Sequence, residues 1–340
     1  MACHVDCFTG EKIADESNTR KILKRNKALP IHPILIVIFL ITAFSEPAQS
    51  QTDIDGLFME KNFFCIGPTV GHSSWKEYWE GSNKRENLNL GTVSTTTAMV
   101  MGNYGVTDNL NILFGVPYIK TKASSGQLAG QKGFQDLSLF VKWAAAEKQI
   151  GKGLLKAIVI AGVSTPLSNY TPDMLPVSIG LKSKTAMLRL MADYQVNNWF
   201  GTLSGTYNFR SNVELDRNTY YTTQMHYTNE VRMPDAAYFN VRAGYRSSTW
   251  IIEAFADKWN TLGGFDITKN NMPFISNKMN ATRVGLHLKY ETGFINGLSF
   301  VADAGTTIAG RNIGKSTNYG GGIFYIMDFS QKKKEPVAPL

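Results

Sequence analysis

The sequence predicts an all-β protein: a closed antiparallel transmembrane β-barrel of about twelve strands, of the outer-membrane type. Three observations predict it. The chain opens on an export-type leader, the following stretch of about 290 residues alternates apolar and polar with period two, and its connections alternate between short and long. No other segment approaches the length and apolarity of a membrane-crossing helix, so a spanning protein must cross with strands.

The leader comes first. Lys21, Lys24, Arg25 and Lys27 precede the apolar run ILIVIFLITAF from Ile34 to Phe44, and SEPAQSQ follows with small residues at Ala48 and Ser50. This is the layout of a secretory signal peptide. Its apolar run is well short of the roughly twenty residues a spanning helix needs. Residues 1–50 are therefore read as a pre-sequence cleaved near Ser50 to Gln51, residues 51–61 as a short periplasmic N-terminal segment, 62–329 as the barrel and 330–340 as a basic periplasmic tail. Cleavage removes Cys3 and Cys7 and leaves Cys65 alone, which excludes a disulfide framework. It also removes six Lys or Arg and five Asp or Glu, so the net formal charge falls from +8 to +7. That modest excess is spread through strands and loops rather than gathered in a stripe, and the chain is exported, which argues against a nucleic-acid partner.

The strands follow in order near 62–72, 90–104, 110–120, 135–145, 154–165, 186–196, 199–210, 236–246, 249–259, 281–291, 298–308 and 319–329. Side chains of a strand point alternately to its two faces. In LNILFGVPY one face carries Leu110, Ile112, Phe114, Val116 and Tyr118, and in DLSLFVKW it carries Leu137, Leu139, Val141 and Trp143, opposite Asp136, Ser138 and Lys142. In MLRLMADYQV, Leu188, Leu190, Ala192 and Tyr194 oppose Arg189, Asp193 and Gln195; in AYFNVRAGYR, Phe239, Val241 and Tyr245 oppose Asn240, Arg242 and Arg246. TRVGLHLKYE repeats the pattern, with Val284, Leu286, Leu288 and Tyr290 against Arg283, His287 and Lys289. In a barrel the apolar face meets lipid and the polar face is enclosed. Pro117 cannot donate to a ladder, so a bulge or the outer end of its strand is expected there. Short links at 196–198, 246–248 and 292–297 alternate with long polar ones such as 166–185, 211–234 and 260–279, the asymmetry of periplasmic turns and external loops.

Aromatic residues recur beside the short turns. Tyr104, Tyr194, Tyr245 and Tyr290 precede them, Trp199 and Trp250 follow them, and Phe329 ends the last strand; together they are expected to form a membrane-interface girdle. The expected lumen-lining residues are Lys142, Lys156, Arg189, Asp193, Arg210, Arg242, Glu253, Asp257, Arg283, His287, Lys289 and Asp303. With Arg246, Asp136, Glu291 and Asp328 the inward charges nearly balance, so weak ion selectivity is expected, with Arg–carboxylate pairs bridging strands. If the 291–298 hairpin pairs with residue numbers summing near 588, Ser299 and Asp303 flank His287 diagonally. That cluster points into the lumen, and no residue is assigned a catalytic role. His72 and His226 lack a second ligand at suitable spacing, so neither a metal nor a cofactor is expected. The tyrosine-rich loop 211–234, with Tyr220, Tyr221, His226 and Tyr227, is a candidate lid or ligand rim.

Three segments, GNYGVTDNLNILFGVPYI from Gly102, GFQDLSLFVKW from Gly133 and KAIVIAGVSTPLSNY from Lys156, resemble a family of bacterial barrels from the meta-cleavage pathway of phenol degradation, labelled as outer-membrane transporters. Leu167 stands where that family commonly has Gly after the Pro. The resemblance implies a passive or facilitated route for small solutes, hydrophobic or aromatic ones among them. The expected partners are outer-membrane lipid, the barrel assembly machinery and a small-molecule solute, with the oligomeric state left open. A closed structural or surface-binding barrel acting through its external loops is the alternative, and a lipid-modifying barrel enzyme the third reading.

Overall fold

The computed structural model describes residues 52–267 and 271–330, all within one compact unit; the pre-sequence and the tail 331–340 lie outside the described residues. Twelve strands build the wall. They are β1 (Phe63–Trp75), β2 (Val93–Thr107), β3 (Leu110–Ala123), β4 (Asp136–Ile150), β5 (Gly153–Pro166) and β6 (Thr185–Val196). The second half adds β7 (Trp199–Arg210), β8 (Ala236–Arg246), β9 (Trp250–Thr261), β10 (Asn280–Glu291), β11 (Leu298–Arg311) and β12 (Thr317–Asp328). Each pairs antiparallel with its neighbours in the chain, and β1 also pairs with β12 from Phe63↔Asp328 to Ser74↔Thr317, so the sheet is closed. Closure is what hydrocarbon demands, because an open edge would strand backbone N–H and C=O groups at several kcal/mol each.

The two faces separate as the alternation requires. Leu286 and Leu190 are 63% and 61% exposed on the outer surface, whereas Arg189 and Asp193 beside Leu190 are 6% and 2% exposed. Val241 and Leu288 are also exposed, and Arg242 is buried. Turns at 108–109, 151–152, 197–198, 247–249 and 292–297 close one end, and the connections at the other are long except for the five residues 312–316. Asn197 takes a left-handed conformation (φ 52°) in its two-residue turn, which a β-branched residue would resist.

Several strands run beyond their expected ends, β1 to Trp75 and β4 to Ile150. The apolar pattern marks where lipid ends, while the hydrogen-bond ladder continues into water. Pro117 lies inside β3 rather than at its end. There β3 leaves β4, with which it pairs only from Leu110 to Gly115, and takes up the three-residue strand Lys132–Phe134; the Pro117 carbonyl accepts from Gln135 N. The external loops fold on themselves. Val213–Glu214 pairs with Glu230–Val231 and Tyr220–Tyr221 with Met225–His226, and Val213, Leu215, Tyr220, Val231, Met233, Phe274 and Ile275 form a core of their own.

Candidate functional site

The barrel interior has an ionic side and an apolar side. On the ionic side, strands β9 to β11 place charged residues directly opposite one another, and Arg242 on β8 reaches them diagonally from its place opposite Phe255. Asp257 on β9 faces Arg283 on β10, which donates Nε to Oδ1 at 2.9 Å and Nη2 to Oδ2 at 3.0 Å in a bidentate pair. Four residues along, Glu253 faces His287, and His287 in turn faces Asp303 on β11. Arg242 donates Nη1 to Glu253 and Nε to Asn240 Oδ1, and stacks over Phe255. Arg246 reaches across β7 to donate Nη1 to both carboxylate oxygens of Asp193 at 3.1 Å, its guanidinium lying over Phe200. Lys289 sits 3.4 Å from Glu291 on its own strand. Arg242, Glu253, Asp257, Arg283, His287 and Asp303 together line a cavity of about 300 Å³. The register sum is 590 rather than 588 from the 292–297 turn as far as Arg283↔Thr307, so Ser299 faces Glu291, and the β11 neighbours of His287 are Asp303 opposite and Val301 and Gly305 diagonally, none with a hydroxyl.

The opposite side departs from the expected lining of balanced charge. Ile158, Ile160, Met187 and Met191 are buried inside the barrel, with Phe140 and Phe58 packed on them. The run AIVIAGV from Ala157 is apolar on both faces, and that loss of alternation is the signal the charge count passes over.

Residues 52–59 require a larger correction. Expected as a periplasmic segment, they lie instead within the barrel. Lys142, whose side chain is fully buried, donates Nζ to Asp55 Oδ1 at 3.0 Å, to the Leu57 carbonyl at 2.7 Å and to the Thr52 carbonyl at 2.9 Å. Arg189 donates Nη1 to Asp53 Oδ2 at 2.8 Å and Nε to Thr206 Oγ1 at 2.7 Å. Phe58 lies under the Lys142 ammonium, and Met59 is fully buried against Cys65, Phe324 and Ile326. The physical reason is charge: Lys142 and Arg189 are enclosed, and an uncompensated buried cation costs several kcal/mol. Strands alone do not supply these two partners. A Cβ at Gly56 would fall 2.2 Å from the Asp193 carboxyl carbon, so the segment passes the wall where only glycine fits.

The remaining expected residues lie towards the ends. Lys156, partly exposed, pairs with Glu147 at 3.0 Å near the turns. Arg210 is at the loop rim, over Trp259 and beside the Pro234 carbonyl. At the turn end Trp199 packs edge-on against Tyr245 with ring centroids 5.6 Å apart, and Trp250 meets Tyr290 at 4.5 Å. Tyr104 and Tyr194 are exposed there too, and Phe329 is exposed just past β12, where its N–H donates to the Asn62 carbonyl. In the 211–234 loop Tyr220 is buried and stacked on His226, while Tyr227 is exposed. Outside the wall, Asp266 accepts from Arg311 and Asn312, and these hydrogen bonds, Arg311 first, hold its carboxyl below the usual carboxylate range against the opposing effect of burial.

The family model described as "Putative MetA-pathway of phenol degradation" matches residues 85–320. The chain belongs to this family. Among solved structures, the COG4313 outer membrane channel from Pseudomonas putida F1 is similar at 13% identity, covering 82% of this chain and 100% of that one with a TM-score of 0.63. The translocator domain of the autotransporter NalP from Neisseria meningitidis is similar at 15% identity, covering 79% and 89%, with a TM-score of 0.44. No curated protein matches. Family and fold together make the protein a bacterial outer-membrane β-barrel.

Proposed function

We propose that the protein is an outer-membrane channel for small solutes, hydrophobic or aromatic ones among them, and that residues 52–59 are the element that controls passage. The observation that carries the reading is the interior itself. A cavity of about 300 Å³ has an ionic wall and an apolar one, with Met99, Met101, Val301 and Phe324 facing Arg242, Arg283 and Glu253. A solute with an apolar body and a polar edge finds both surfaces there, as small-molecule sites generally provide. Membership of a phenol-degradation family and the likeness to a structure described as an outer membrane channel support the same reading.

Of the twelve expected lining residues, Arg242, Glu253, Asp257, Arg283, His287, Lys289 and Asp303 border that cavity, Lys142 and Arg189 anchor the N-terminal segment, Asp193 pairs with Arg246, and Lys156 and Arg210 lie at the ends. The turn-end aromatics serve as the periplasmic interface girdle, residues 1–50 as the export signal, and the closing strand with Phe329 as the element presented to the barrel assembly machinery. No catalytic step is assigned, since His287 stands between two carboxylates with no hydroxyl beside it.

A specific observation favours a second reading. Residues 52–59 occupy the interior, as they would in a closed barrel acting through its folded external loops. Solute flux separates the two. Liposomes carrying the purified protein swell in isosmotic small-solute solutions on the channel reading, and a variant lacking residues 52–59 swells faster. If neither protein passes solute, the barrel is closed and the channel reading fails.

A further inference from the structure

The outer surface carries a row of residues that passage through the lumen does not use. Lys132, Lys120, Thr96, His72 and Tyr319 stand side by side in register, from the short strand Lys132–Phe134 across β3, β2 and β1 to β12. Lys122 follows one step further out, opposite Ser94, which in turn faces Ser74. All three lysines are exposed, and none has a carboxylate or other side-chain partner among the described residues. Lys120 and Lys132 are direct cross-strand partners on one face, where like charges repel and destabilise the pairing. Water and salt screen that repulsion only in part. An anion bridging the two ammonium groups would remove it.

The adjoining row names the source of the anion. One step towards the middle of the barrel, in the same register, stand Phe134, Tyr118, Ala98 and Val70, with the Tyr118 and Phe134 rings edge-on at 5.3 Å. Same-face steps along a strand are roughly 7 Å. The surface thus changes over one step from acyl-chain contact to a line of ammonium and hydroxyl donors, with the His72 ring 3.2 Å from Thr96 Oγ1 and 5.5 Å from the Tyr319 ring. This boundary lies at the loop end, which in outer-membrane barrels is the external leaflet. We propose that the row binds the phosphate groups of a glycolipid headgroup in the outer leaflet, with the lipid's chains on the Phe134–Tyr118–Val70 belt. Lysine suits phosphate as a point charge with three donors, and the flanking hydroxyls add neutral hydrogen bonds.

The test is native mass spectrometry of the full-length protein in detergent, titrated with diphosphoryl lipid A, with its dephosphorylated form, and with inorganic phosphate at matched ionic strength. The wild type should prefer the diphosphoryl form. The Lys120→Ser/Lys132→Ser variant should lose that preference by about thirtyfold, the effect of two lysines at an anionic headgroup. Lys120→Arg/Lys132→Arg should retain it, as should Lys148→Ser near the opposite end, and thermal unfolding of each variant checks its fold. Equal affinity for both lipid forms, an unchanged preference in the double serine variant, or complete displacement of the lipid by inorganic phosphate would overturn the assignment.

Discussion

Asp55→Asn is the perturbation that most sharply probes the N-terminal segment. The Lys142 ammonium is fully enclosed and 3.0 Å from the Asp55 carboxylate. At that separation the gross attraction is about 5.5 kcal/mol for an effective dielectric constant of about 20, before desolvation is subtracted. Removing one partner of a buried pair typically costs about 3–5 kcal/mol. The carbonyls of Thr52 and Leu57 still accept from Nζ in the variant, which sets the expected loss at the lower end, about 3 kcal/mol. If all of that loss falls on docking of the segment, the docked-to-released ratio drops by roughly 150-fold. The assay is single-channel recording in planar bilayers, with heat-modifiable mobility on gels as the check on folding. Open probability should rise steeply, and Asp53→Asn should add to the effect by freeing Arg189. A folded Asp55→Asn channel whose conductance and open probability match the wild type would refute the reasoning.

Other outcomes follow from the same geometry. Arg283→Ala removes one positive charge from the cavity and leaves Asp257 unpaired, so the reversal potential in a salt gradient should shift towards cation selectivity; an unchanged reversal potential would place the pair off the conduction path. Leu286→Arg sets a charge on the lipid face and should cost about 2–4 kcal/mol near mid-bilayer, read by denaturant titration of folding into vesicles; no measurable cost would place Leu286 away from hydrocarbon. Asp266 has a folded-state pKa below its unfolded value, so its contribution is full above about pH 4 and is lost as pH falls through the depressed value. Protease nicking within 262–279 should therefore be suppressed at pH 5 to 7 in the wild type and raised there in Asp266→Asn.

The wall was legible in the sequence because period-two alternation repeats on most of the strands, and each repeat carries the same information about which side meets lipid. Arg189 between Leu188 and Leu190 already shows both the strand and its orientation. Two things were not legible. TDIDGLFM at 52–59 has neither helical nor strand periodicity, and its docking depends on cations more than eighty residues away, which no local pattern encodes. A weak trace was present: the inward charges of the strands gave one more cation than carboxylates, and two of those cations found partners outside the strands. The apolar wall around Ile158 and Ile160 was obscured because a strand apolar on both faces does not announce which half is enclosed.

Greasy side chains meet hydrocarbon and ionic ones are enclosed, and fluorescence quenching by brominated lipid reads that division residue by residue. Single cysteines at positions 284 to 289, in a Cys65→Ser background, carry the probe in reconstituted vesicles. Probes at Val284, Leu286 and Leu288 should be quenched strongly, and those at Gly285, His287 and Lys289 scarcely at all. The opposite pattern, or equal quenching on both faces, would contradict it.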